Sequence, residues 1–192
     1  MAEPIAAPWW LPVVLLGWLL AAATLAWTGR IAALRPPMPQ AAVAALTIAV
    51  VVAGSRVASL RAWLATLDPR AAIALHLLRF VAGTAFLLAY SRGGLPRAFA
   101  VPGGIGDIAV AVLAVPLLIA PREAAWWTRA ALLWNLFGLA DILFVVVNAA
   151  RAALADPGSM TALLHLPLSL LPTFLVPLII ASHLWLLRRG LG

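Results

Sequence analysis

Residues 71–90 read AAIALHLLRFVAGTAFLLAY, a stretch with one arginine, one histidine and no acidic group. Coiled as an α-helix at about 1.5 Å per residue, twenty such residues rise about 30 Å, the thickness of a bilayer's hydrocarbon core. Five other apolar runs of similar length flank it, near 9–28, 41–60, 105–120, 126–148 and 163–187. Together they predict an all-α, polytopic transmembrane helical bundle of about six spans, a single domain over residues 1–192. Composition agrees. The chain is 65% hydrophobic and 10% charged, with a mean hydropathy of +1.07, more apolar surface than a water-soluble domain of this size can bury. Lipid bilayer is therefore the expected surroundings.

Punctuation between the runs fits the same plan. Trp9, Trp10 and Trp27 stand at the two ends of the first run, where amphipathic rings prefer the headgroup level. Ala21–Ala26 resembles a signal-peptide cleavage region, but the segment before the run has Glu3 and no arginine, so a retained helix is expected. Pro36, Pro37 and Pro39 break the chain before the second run, and Pro69 precedes the third. The Gly- and Pro-rich residues 91–104 read as a loop, with the fourth helix starting near Ile105 after a partly unwound Pro102-Gly103-Gly104. The sixth run places His165 and His183 on one face, about 27 Å apart on an ideal helix, too far to share a metal. No internal repeat supports an inverted-repeat transporter plan.

The formal charge is +7, all thirteen cations are arginines, and all but Arg79 are scattered at the ends of apolar runs instead of forming a patch. That pattern reads as topology and lipid headgroup contact, with no nucleic-acid partner expected. With six spans, Arg56, Arg61, Arg70, Arg122, Arg129, Arg188 and Arg189 share the side of the termini, and Arg30, Arg35, Arg92, Arg97 and Arg151 share the other. Seven against five places both termini in the cytoplasm. Arginine, alanine, glycine and proline in place of lysine suggest a GC-rich bacterial genome, hence a bacterial inner membrane. Without cysteine or lysine, disulfides, thiolate metal sites and Schiff bases are excluded.

No zinc H-E-x-x-H, nucleophile elbow or phosphate-binding loop occurs, and Gly103-Gly104-Ile105-Gly106 has no βαβ context for a dinucleotide. Ser55 with His183 is the nearest approach to a serine nucleophile and its base, and no motif surrounds it. No catalytic residue is therefore assigned, and enzymatic activity is not expected.

Ionisable groups at membrane depth are costly unless paired, so each marks a candidate site. At about 100° per residue, His76, Arg79, Gly83 and Tyr90 fall within roughly 60° of one another on the third run. Arg79 lies mid-span and needs an anionic partner, which Asp107 or Asp141 can provide. On the fifth run Asn135, Gly138, Asp141 and Asn148 share a sector, glycine permitting close helix approach and the asparagines offering interhelical hydrogen bonds. Arg79, Asp107, Asn135 and Asp141 are therefore the expected binding residues for an ion or small polar solute in a small permease or channel-like protein. An ion pair that merely fixes packing is the plainer alternative.

Two other readings stand beside it. His76 and His183 each lie about five residues from the cytoplasmic end of a span, a depth match that could ligate a b-type haem in an electron-transfer protein. No other cofactor is expected. The small-residue faces also suit an accessory subunit, docked in a homo-oligomer or a larger membrane complex.

Three segments carry a resemblance: GIGD at 104–107, WNLFGLAD at 134–141, and PTFLVPL at 172–178 followed by His183. They resemble a pattern in small uncharacterised bacterial multi-pass integral membrane proteins. The resemblance covers roughly the C-terminal two-thirds, attaches no activity, and directs attention to Asp107, Asn135, Asp141 and His183.

Overall fold

A computed structural model describes residues 5–190. Eight α-helices follow one another: α1 (Trp10–Trp27), α2 (Met38–Arg56), α3 (Ala58–Thr66), α4 (Pro69–Leu75), α5 (Leu78–Ser91), α6 (Arg97–Ile119), α7 (Trp127–Ala155) and α8 (Val176–Arg189). Among the described residues six helical stretches are long and apolar enough to cross a membrane, α4 with α5 forming one and a π-turn at Leu171–Leu175 extending α8 into another. No strand occurs among the described residues. At the ends of α1, Trp9 and Trp27 are 83% and 84% exposed, free to sit at headgroup level.

Several boundaries differ from those read in the sequence. The second apolar run ends at Arg56, where Val57 turns extended, and α3 follows as a separate short helix. The third run is interrupted at His76–Leu77, where the hydrogen bonds tighten to three-residue spacing. The 3-10 turn Pro157–Leu164 and irregular residues 165–170 precede the last span, so His165 lies outside the helix that carries His183. Tyr90 is 38% exposed, apart from the buried His76, Arg79 and Gly83 of its expected stripe.

Of the expected loop over 91–104, residues 92–96 do lie outside the helices, and the largest correction concerns 97–104. Helix α6 begins at Arg97 and runs through Pro102, Gly103 and Gly104 without unwinding. Proline 102 has no N–H to return to the carbonyl of Ala98, and the Asn148 side-chain amide of α7 donates to that carbonyl at 2.9 Å. Related contacts occur at two other places. At the end of α6 the Leu117 carbonyl, in the last turn and without an intrahelical partner, accepts from the Trp127 indole N–H at 2.9 Å. Pro177 leaves that of Thr173 free, and the Trp18 indole of α1 donates at 2.9 Å. Proline-freed carbonyls inside a bundle thus act as docking points for neighbouring helices.

This account predicts a double-mutant result. Asn148→Leu should lower stability in detergent by about 1 kcal/mol, the scale of interhelical hydrogen bonds in membranes. Adding Pro102→Ala should recover most of it, because an alanine N–H at 102 can satisfy the Ala98 carbonyl. Unfolding midpoints of the two single variants and the double variant measure the coupling. Additive losses would contradict it.

Helices α5 and α6 make the closest pair. A Cβ added to Gly83 would collide with the Gly104 carbonyl oxygen, and one at Gly104 would lie 2.9 Å from that of Gly83. Backbone meets backbone at this crossing. Two apolar cores result. One gathers Ile73, Val110, Leu117, Trp127 and Leu186. The other gathers Phe86, Phe99, Ile142, Val145 and Ile179. Each of the four central stretches, α4–α5, α6, α7 and α8, contributes to both cores, and its polar residues fall between them in sequence.

Candidate functional site

The layer between the two cores holds Arg79, 0% exposed, on α5. Its Nε–H donates to Asp107 Oδ1 of α6 at 2.6 Å, Nη1 to the Gly138 carbonyl of α7 at 3.0 Å, and Nη2 to Asp141 Oδ2. Every guanidinium nitrogen has a partner, the condition under which a buried arginine is tolerated. The sequence reading paired Arg79 with one aspartate or the other, and the structure pairs it with both. Asp107 is nearly as buried as the arginine, while one tenth of the Asp141 side chain is exposed.

Local sequence explains the access of both carboxylates. Asp141 lies against the α6 backbone at Gly106, where any Cβ would fall on its carboxylate. Gly83 brings the α5 backbone beside Asp107, a Cβ there lying 3.0 Å from that of Asp107. The glycine that admits each acid therefore lies on a neighbouring helix, Gly106 of α6 for Asp141 and Gly83 of α5 for Asp107.

Asn135 makes no hydrogen bond to Arg79. Its Oδ1 accepts from His183 Nδ1 at 2.6 Å, and its amide donates to the His183 carbonyl at 3.2 Å, so it fixes that ring in one orientation. His183 in turn abuts Gly138, whose carbonyl Arg79 holds. His76 meets the Ser182 hydroxyl at 3.0 Å, and that hydroxyl donates to the Ile179 carbonyl at 2.8 Å. The imidazole N–H is therefore the donor to Ser182. Both rings keep a second nitrogen, His76 Nδ1 and His183 Nε2, that is buried without a hydrogen-bond partner. The two rings are 4.2 Å apart between centroids, and Trp134 stands edge-on to His76 at 4.9 Å.

That contact decides the fit of a haem. Axial imidazoles must stand on opposite faces of a porphyrin, with the iron between them. Rings touching at 4.2 Å leave no slot for the macrocycle, so this pair does not fit a bis-histidine haem. Among the described residues no group of three or more His, Cys, Asp or Glu is arranged to hold a metal.

Ser182, Trp134 and the Gly106 backbone belong to the layer and were not singled out in the sequence for these contacts, whereas Gly138 was expected to permit close helix approach and does so against His183. Ser182 had a visible signal in its place directly before His183. Gly106 likewise precedes Asp107.

Among the described residues, six membrane-length helical stretches, four of which carry a buried layer of guanidinium, carboxylate and imidazole, define a multi-pass helical membrane protein with a buried polar centre. Residues 36–190 match the model of the family described as Domain of unknown function (DUF8737), and the chain belongs to that family. The comparisons with curated proteins and with solved structures found no match.

Proposed function

We propose that this chain is a small permease or channel-like protein of the bacterial inner membrane, with both termini cytoplasmic, whose Arg79–Asp107–Asp141 centre binds a proton or small monovalent cation. One observation carries the reading. A single guanidinium is set between two carboxylates, so with all three ionised the layer holds one negative charge in excess. Uncompensated charge at that depth is expensive, and one bound cation or proton balances it. The orphaned lone pairs of His76 and His183 add two acceptors on the neighbouring side. Asp141, the more exposed of the two acids, is the side from which the centre is reached.

Asp141→Asn discriminates binding from mere architecture. It keeps shape, leaves Arg79 and Asp107 as a neutral pair, and removes the excess charge. Purified protein in proteoliposomes carrying a pH-sensitive or cation-sensitive dye should show flux above empty vesicles under an imposed potential, and the variant should lose it. Unchanged flux in the variant, or transport confined to uncharged solutes, defeats the proposal. Absence of flux in both proteins would favour the accessory-subunit reading.

A further inference from the structure

A cavity of about 360 Å³ lies outside the charged layer, among α2, α7, the 3-10 turn Pro157–Leu164 and the start of the last span. Buried Phe86, Phe99, Val145 and Met160 form its deep wall, and exposed Arg35 and Thr161 stand among its lining residues. A second hollow of about 30 Å³ shares Leu34, Pro39, Val43, Leu164 and Pro172 with it and extends the apolar surface along α2.

We propose that this cavity binds one acyl chain of an anionic glycerophospholipid, with the headgroup held at Arg35. Its size falls in the range of about 300–1,000 Å³ typical of ligand sites. At roughly 30 Å³ for each water-sized group, it accommodates about a dozen methylenes of a single hydrocarbon chain. The wall is almost wholly hydrocarbon, and no acidic residue lines it. Arg35 makes no side-chain hydrogen bond or ion pair among the described residues, so its charge is available to a phosphate. Gln40, five residues on and also in the lining, has a buried side-chain oxygen without a donor, which suits a headgroup bearing hydroxyls. Charge complementarity and apolar volume thus converge on a phosphatidylglycerol-type lipid.

Delipidated full-length protein in detergent, incubated with radiolabelled dioleoyl-phosphatidylglycerol, dioleoyl-phosphatidylcholine or palmitate and then separated by size exclusion, tests this. Near-stoichiometric retention of phosphatidylglycerol is expected, preferred over phosphatidylcholine by about fivefold for one arginine near a phosphate. Ala149→Trp, which places an indole in the cavity, should abolish retention of both lipids. Arg35→Gln should equalise them. Equal retention of the two lipids by the native chain, or full retention by A149W, overturns the proposal, and preferred retention of palmitate assigns the cavity to a free fatty acid instead. Should A149W fail to give a monodisperse protein, R35Q decides alone, and an undiminished headgroup preference refutes the site.

Discussion

Arg79→Met is expected to destabilise the folded bundle by about 3–5 kcal/mol, the usual cost of removing one partner from a buried ion pair. Methionine is close to arginine in length and position 79 is fully buried, so packing changes little. What remains is two carboxylates facing each other across the gap, one of them almost fully buried. The triple variant Arg79→Met, Asp107→Asn, Asp141→Asn should recover most of the loss, because no charge is then left without a partner. Denaturant or thermal unfolding in detergent, followed by tryptophan fluorescence, measures both. A single variant as stable as the native chain would show that the guanidinium does not hold the centre together. A triple variant no better than the single one would place the cost in packing instead of charge.

Gly83→Ala is the second large effect, of about 1–3 kcal/mol, as for overpacking of a close-packed interior. The obstacle is backbone: the new methyl would meet the Gly104 carbonyl oxygen, with Asp107 Cβ and Ile108 Cγ1 each 3.0 Å away. A flexible side chain could swing aside, whereas α6 has to move as a unit and carries Asp107 away from Arg79. Gly17→Ala is the matched control. Nothing lies within 4 Å of a Cβ at Gly17 in α1, so alanine there should leave stability unchanged or slightly raised. Equal effects at the two positions would refute the close crossing of α5 and α6.

Much of the architecture was legible in the sequence because apolar length is nearly sufficient evidence of a membrane helix. The six spans and the attraction of Arg79 for an acid came from that, together with the high cost of an unpaired charge. Residues 97–104 misled because Gly and Pro signal loops in water, where freed carbonyls hydrate. Here Asn148, far along the chain, satisfies the carbonyl that Pro102 frees, and no local pattern announces a donor from another helix. The contact of His76 with His183 was equally hidden. Equal depth brought the two together on paper as haem ligands, but only the approach of α8 to Gly138 brings the rings into contact. Asn135 shares a helix sector with Asp141, yet that sector is divided between two neighbours, α8 taking the amide and α5 the carboxylate.

Amide and guanidinium hydrogen exchange offers the most direct measurement of the central claim. Protein labelled with ¹⁵N-arginine, placed in deuterated buffer in detergent micelles, should keep one guanidinium signal set long after the others have vanished, since Arg79 alone among the thirteen arginines is fully buried. That set should disappear in Arg79→Gln and exchange faster in Asp107→Asn. If every arginine instead exchanges at the rate of free guanidinium, Arg79 lies in contact with water and the charge-compensated layer does not exist.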